Sequence, residues 1–261
     1  MIACLAAAGA VSLAMLGAWF LQWQQRNAGW VDVVWTFGTG LALAAVALAA
    51  PGMLWRRGMI AALVILWAVR LGGHIARRVM QGPEDRRYAQ MRQRAGAGFQ
   101  RQMAWLLLGQ GPVSGLLSVS VYLAAAQPAP ELRPADALGA GLLVVALAGE
   151  ALADRQLRLW RADPDRTGDF CEVGLWSLCR HPNYLFETLG WVAYTVIALD
   201  LARPVTLLSL LGPVLMFVVL RYLTGVPPLE AAMLERHGAR YRTYQRRTNA
   251  MWPRWPRSDR R

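Results

Sequence analysis

The stretch Arg180-His181-Pro182-Asn183-Tyr184-Leu185-Phe186-Glu187 decides how the chain is read. It carries a guanidinium, an imidazole, an amide, a phenol and a carboxylate, and it opens into an apolar run reaching Leu199. Ionisable groups at the mouth of a membrane helix are costly to keep, so they mark a functional site by default. Asn183 and Glu187 are four residues apart and on a helix would face one way. Trp191, four further on, adds an aromatic wall to that face.

Outward from this stretch, apolar runs alternate with arginine-bearing links. Of 261 residues 56% are apolar, and 12 are Trp. Several runs approach the roughly 20 residues that a helix needs to cross a bilayer. This predicts an all-α integral membrane protein with seven transmembrane helices in a single membrane domain, residues 1–261. Residues 1–126 would form four N-terminal helices, and residues 135–261 three helices plus a tail. The expected spans are about Met1–Leu21, Trp30–Ala49, Arg57–Ile75, Met103–Ala126, Ala135–Leu159, Tyr184–Leu199 and Val205–Leu223. Pro51 and Gly52 stop the second, and Gly109-Gln110-Gly111-Pro112 is expected to interrupt the fourth, because Pro112 removes a backbone donor and crowds the preceding turn. In the tail, Leu229, Met233 and Leu234 followed by Tyr241 and Tyr244 suggest a short helix. No internal repeat is visible.

All 28 basic residues are Arg, and the formal charge is +12. A nucleic-acid partner is the wrong reading, since the arginines sit between apolar runs, where topology explains them. Alternate links hold 23 arginines on one side and 4 on the other, with Arg70 inside the third span. The positive-inside rule then puts the N-terminus outside and the C-terminus in the cytoplasm. Cys4, Cys171 and Cys179 are too few and too irregularly spaced for a disulfide framework or a zinc site, and no metal is expected.

Three polar sets fall toward the cytoplasmic half. They are Glu150, Asp154, Arg155, Arg158 and Arg161; the Arg180–Glu187 stretch; and Glu230, Arg240, Tyr244, Arg246, Arg247 and Thr248. Arginines interleaved with aromatic rings suit a ligand that bears phosphates and planar rings. A positive-inside rim bound to lipid headgroups is the plainer account of any one of them.

The Arg-His-Pro-Asn-Tyr pattern with Glu187, then Pro227-Pro228-Leu229-Glu230, Tyr241-Arg242-Thr243-Tyr244-Gln245-Arg246-Arg247-Thr248 and Pro253, resembles the steroid 5-alpha-reductase superfamily, in particular bacterial members once grouped as a domain of unknown function. The likeness covers Gly149–Pro253 well, and the N-terminal half more loosely through Asp32 and Glu84-Asp85-Arg86-Arg87-Tyr88. The C-terminal half is also similar to sterol reductases and isoprenylcysteine carboxyl methyltransferases. The resemblance implies a seven-helix reductase of a bacterial inner membrane that uses NADPH to saturate the 4,5 double bond of a 3-oxo-Δ4 steroid or another polycyclic enone lipid.

By motif position, Asn183 and Glu187 would hold the nicotinamide end. Asp154, Arg158 and Arg161, with Arg246 from the tail, would take ribose and phosphates. Gln110, Arg180, His181, Tyr184, Trp191, Glu230 and Tyr244 complete the implied cofactor set. Phe186 departs from the pattern, since relatives commonly carry Gly before the acid.

Hydride delivery to an enone puts negative charge on its carbonyl oxygen, which a donor must stabilise. The family uses a carboxyl on helix two and a tyrosine after helix three, which match Asp32 and Tyr88. His74, four residues from Arg70, is the substitute proton donor. Packing explains His74 as simply, and an interfacial anchor explains Tyr88. The rival activity on the same fold is methyl transfer from S-adenosylmethionine, and the rival class is a transporter or lipid-binding scaffold.

Overall fold

The computed structural model describes residues 1–166 and 168–253. Among these residues the secondary structure is helical throughout, with no strand. Four of the tail arginines counted above, Arg254, Arg257, Arg260 and Arg261, lie outside the described residues. Eleven α-helices are described. They are α1 (Ile2–Gln25), α2 (Gly29–Ala49), α3 (Leu54–Gln81), α4 (Arg86–Ala95), α5 (Phe99–Ala125), α6 (Pro134–Ala162), α7 (Leu175–Leu178), α8 (Pro182–Ala198), α9 (Leu211–Val218), α10 (Val226–His237) and α11 (Ala239–Arg247). The chain forms two compact units: residues 1–140 with 193–212, and residues 141–192 with 213–261.

In the first unit α1 packs on α2 and α5, and α2 packs on α3. The buried stripe of α1 is Cys4, Ala7, Val11, Met15, Ala18 and Gln22, at the three-to-four spacing of one helical face. Arg26 turns left-handed (φ 51) and ends α1. The next helix is capped twice by acceptors: Gly29 N donates to Asn27 Oδ1 at 2.9 Å, and Ala28 N donates to Glu84 Oε1 at 2.8 Å. Such acceptors satisfy backbone donors that a helix start leaves over.

The expected break in the fourth span does not occur. α5 runs through Pro112 from Phe99 to Ala125. The glycines beside the proline serve packing: a Cβ on Gly111 would lie 1.9 Å from Ser12 Oγ, and one on Gly115 would lie 2.8 Å from Ala8 Cβ. Close apposition to α1 holds the helix together where the proline alone would bend it. Helix α3 also outruns its expected end at Ile75, because Arg77 and Arg78 continue it to Gln81 before Gly82 and Pro83 stop it. The link beyond contains α4, whose start is capped by Asp85 accepting from Arg87 N at 3.0 Å.

At the α2–α3 end of this unit, Arg56 is fully buried against an equally buried Asp136. Arg56 Nη2 donates to Asp136 Oδ2 at 2.7 Å and Nε donates to Oδ1 at 3.2 Å. Its remaining donors take the backbone carbonyls of Gln127, Ala129 and Glu131 at 2.6–3.0 Å. Arg133 closes on Asp136 from the other side at 2.9 Å, and Gln127 Nε2 donates to the Ala198 carbonyl at 2.8 Å. The α5–α6 connection is thereby strapped to the start of α3. Charges that seemed to report only topology are a buried structural element.

The second unit is built from the rest of α6, the link 163–181, α8 as far as Val192, and the tail. Trp176 on the single turn α7 donates Nε1–H to the Ala153 carbonyl at 2.9 Å, and Gln156 Oε1 accepts from Leu175 N at 3.0 Å. Phe170 stacks on Tyr244 with centroids 5.1 Å apart, which pins the link to the tail. Phe186, the departure from the family pattern, has its ring where a Cβ on Gly149 would need to be, at 2.5 Å. The bulk at 186 is therefore matched by a glycine on α6.

The seventh expected span is not one regular helix. Pro204–Leu210 is 3-10, α9 follows, and Val219–Leu223 widens to a π-turn. The tail has two short helices rather than one, split at Gly238, whose φ of +53 suits glycine.

Candidate functional site

The first constellation lies where α2 begins and joins residues far apart in sequence. Tyr88 Oη donates to Asp32 Oδ1 at 2.7 Å, and Arg87 Nη2 donates to Asp32 Oδ2 at 2.9 Å. Tyr88 is 5% exposed and belongs to the apolar cluster of Val11, Met15, Ala18, Ala28, Val31, Phe99, Met103 and Leu107. Arg87 is anchored in turn by Asp85, through Nε to Oδ1 at 3.1 Å. Burial works to raise the Asp85 carboxyl, but Arg87, by charge and by side-chain and backbone hydrogen bonds, holds it below its ordinary value, with help from Arg78. A parallel pair, Arg92 Nη2 to Glu84 Oε1 at 2.8 Å, ties α4 to the carboxylate that caps α2.

These contacts show how the Glu84–Tyr88 stretch folds. Glu84 reaches the α2 start, Asp85 caps α4, and Arg87 and Tyr88 both turn onto Asp32. The structure thus joins two of the three residues named for catalysis, Asp32 and Tyr88. In that pair Tyr88 Oη is the donor and Asp32 the acceptor. The third residue, His74, sits half-buried on α3. Gln110 is half-buried within the continuous α5.

The second constellation, in the other unit, centres on Glu230. Its Oε1 accepts from Arg180 Nε at 2.7 Å and faces His181 Nε2 at 3.0 Å, while Oε2 accepts from Gln245 Nε2 at 2.7 Å. Arg180 Nη1 donates to the carbonyls of Gln245, at 3.2 Å, and Thr248. The backbone joins in: Arg180 N donates to Asn249 O and His181 N to Ala250 O, each at 2.9 Å. The His181 ring stacks on Tyr184 with centroids 5.4 Å apart. Burial pulls the imidazole below its ordinary value, against the opposing pull of Glu230. Arg180, His181 and Glu230, all named for the cofactor, are thus engaged with one another and with the tail.

Glu187 and Trp191 meet on one face of α8, as their spacing requires: Trp191 Nε1–H donates to Glu187 Oε1 at 2.8 Å, and both side chains are buried. Asn183 is half-buried at the start of α8, its Oδ1 accepting from Tyr184 N at 3.1 Å. On α6, Asp154 is buried while Arg158 and Arg161 are exposed near its end. Tyr244 is buried against Phe170, and Arg246 is exposed on α11. Among the described residues, no three His, Cys, Asp or Glu side chains gather as a metal site would need.

Arg87, Asp85 and Gln245 are the participants that sequence reasoning passed over. For Arg87 the signal was present, since it precedes Tyr88 in a stretch already singled out. Gln245 likewise lies in the Tyr241–Thr248 stretch already quoted, between two residues named for the cofactor.

Among the described residues six helical stretches are long and apolar enough to cross a membrane: Ile2–Gln25, Gly29–Ala49, Leu54–Gln81, Arg86–Ala125, Pro134–Ala162 and Pro204–His237. They define a multi-pass, all-helical membrane protein with buried polar clusters in each unit. Residues 18–248 match the model of a family described as a protein of unknown function, DUF1295, and the chain belongs to that family, which lies in the steroid 5-alpha-reductase-like group. Comparison with curated proteins and with solved structures returns no match.

Proposed function

We propose that the protein is an NADPH-dependent reductase that saturates the 4,5 double bond of a 3-oxo-Δ4 steroid or a similar polycyclic enone lipid. The observation that carries this reading is the Tyr88–Asp32 hydrogen bond with Arg87 on the second carboxylate oxygen. A phenol buried among apolar side chains, and held by a carboxylate, suits the charge that appears on an enone oxygen when its far carbon receives hydride. The Tyr88 proton would turn from Asp32 Oδ1 toward that oxygen, and Asp32 would keep its Arg87 contact as it loses the phenol. The carbon next to the carbonyl would then take a proton from water as the oxygen returns its own to Tyr88, which gives the saturated ketone. An apolar surround strengthens such donation.

The donor set fits the proposed cofactor in kind. Exposed Arg158, Arg161 and Arg246 offer guanidinium groups for phosphates, and buried Glu187 offers a carboxylate acceptor for an amide N–H2. Bound NADPH would supply the hydride. Arg180 fits less well as a phosphate ligand, because Glu230 and two carbonyls occupy its donors. In this reading α8, whose 17 residues rise about 26 Å, is a seventh span. The N-terminus then faces outward and the C-terminus the cytoplasm of a bacterial inner membrane, as the arginine distribution favours.

The test is mass spectrometry of products after the protein, in lipid nanodiscs, meets NADPH and a panel of Δ4-3-ketosteroids. A product heavier by two hydrogens is expected, with loss of turnover in Tyr88→Phe and Glu187→Gln at unchanged melting temperature. Stabilisation by S-adenosylmethionine alone, with no effect of NADPH, would replace this reading with methyl transfer.

A further inference from the structure

We infer that Arg87 is a positioning residue for the proton donor, an assignment that rests on the reductase reading above. A carboxylate that serves a phenol must present one oxygen to it and have the other engaged, or it swings between partners. Arg87 does this for Asp32. Its Nη2 takes Oδ2 at 2.9 Å, which leaves Oδ1 to Tyr88 at 2.7 Å.

The guanidinium is itself held by Asp85. Asp85 accepts from Nε at 3.1 Å and from Nη2 at 3.3 Å, and the guanidinium carbon stands 5.4 Å from the Tyr88 ring centroid. Asp85 in turn takes the Arg87 backbone N–H at 3.0 Å and Arg78 Nη2 at 2.9 Å. The charged groups around this point are therefore Asp32 from α2, Arg78 from α3, and Asp85 and Arg87 at the start of α4, with the Glu84–Arg92 pair alongside.

This arrangement uses the fork of arginine. One flat group reaches two carboxylates in fixed directions, which the point charge of lysine does not reproduce. It also serves the proposed step. When the Tyr88 proton turns to the substrate oxygen, Asp32 loses that bond and Arg87 keeps the exposed carboxylate compensated. The residue touches neither substrate nor reacting atoms. Its effect passes through Asp32, and it should therefore appear in turnover more than in substrate affinity.

The experiment is steady-state kinetics of the full-length protein in nanodiscs with NADPH and whichever Δ4-3-ketosteroid of the panel the wild type reduces. Arg87→Ala is expected to lose on the order of 10²-fold in kcat with KM little changed. Free guanidinium added to the assay should restore part of that loss, whereas Arg87→Lys should recover less. Asp85→Asn, which loosens the guanidinium without removing it, should lower kcat in the same direction and keep KM. Wild-type kcat in Arg87→Ala, or a loss confined to KM, overturns the assignment while leaving the reductase reading intact. Loss of kcat with a lowered melting temperature and no rescue by guanidinium overturns it in favour of a purely structural role. A wild type that reduces no member of the panel overturns the reductase reading itself, and the assignment with it.

Discussion

Replacing Arg56 by Met should destabilise the protein more than any other single change at a charged residue away from the candidate site. The guanidinium is fully buried and makes five contacts: two to Asp136 and one each to the carbonyls of Gln127, Ala129 and Glu131. Met fills much of the volume but donates to none of these acceptors. Breaking a buried pair by removing one partner costs about 3–5 kcal/mol, and a buried acceptor left unpaired costs about 1–3 kcal/mol. Asp136 keeps Arg133, through the backbone N and Nη2, each at 2.9 Å, so the carboxylate is not wholly abandoned and the lower half of the range applies. A loss of about 3–4 kcal/mol at about 2–4 °C per kcal/mol gives a melting temperature lower by about 6–16 °C.

The assay is thermal unfolding in detergent or nanodiscs followed by circular dichroism. Arg56→Met combined with Asp136→Leu should lose less than the two single changes added together, since residues in contact are coupled. Arg56 also stands near the far end of α2 from Asp32, a helix of 21 residues and about 32 Å, so the Asp32–Tyr88 pair should be undisturbed. A single variant that melts within about 2 °C of wild type would refute the reasoning.

Two neighbouring glycines on α5 should respond in opposite directions. Gly111→Ala drives a methyl to 1.9 Å from Ser12 Oγ and 2.7 Å from the Ala8 carbonyl, and should destabilise by about 1–3 kcal/mol. Exposed Gly109 has nothing within 4 Å of an added Cβ, so Gly109→Ala should stabilise by about 0.5–1 kcal/mol in the same melting assay. His181 should give a pH signature. Because burial depresses its folded value below 6.5, the unfolded chain takes up the proton first as pH falls. Its contribution is complete above about pH 6.5, is lost as pH drops below that, and levels off below the folded value; His181→Asn should remove this part of the slope, with Glu230, Arg180 and Arg221 as the charged neighbours. The Cys179 thiol, pushed up to about 11 by burial, and the buried Cys4 and Cys171 should resist alkylation in the folded protein and label in step with unfolding followed by mass spectrometry.

The parts of the fold that were legible are those written in periodicity and punctuation. Apolar length located six long apolar stretches, and Pro51-Gly52 fell at the real end of α2. The Glu187–Trp191 contact followed from spacing alone. Pro112 was misread because the rule for proline is local, while α5 stays continuous through it with Gly111 and Gly115 packed against α1, a contact about a hundred residues away in sequence. Arg56 was counted only for its side of the membrane, and its structural role is non-local for the same reason. Its charge is visible in the sequence, but its burial against Asp136 depends on how the α5–α6 connection folds back.

The site divides along the same line. Asp32 and Tyr88 were named through a resemblance, and their hydrogen bond spans 56 positions. Arg87 was adjacent to one of them and was missed because no local rule says which of two successive arginines turns inward. Arg180, by contrast, was named and is spent inside the protein.

The arginines therefore sort by where their donors go rather than by where they stand in the chain. Arg56 and Arg180 direct their N–H groups at carboxylates and at carbonyls of the protein's own turns, and both are buried. A guanidinium so occupied has no planar edge left for a phosphate, whose recognition needs two parallel donors. Arg158 and Arg246 remain exposed on the ends of α6 and α11. A sequence tally parts Arg56 from the other three only by side, because to it each is one positive charge in a link or at the edge of an apolar run. In the proposed reductase reading, the exposed pair of these four would hold the cofactor's phosphates. The buried pair accounts for why the turns they hold, Gln127–Glu131 and Gln245–Thr248, keep their shape.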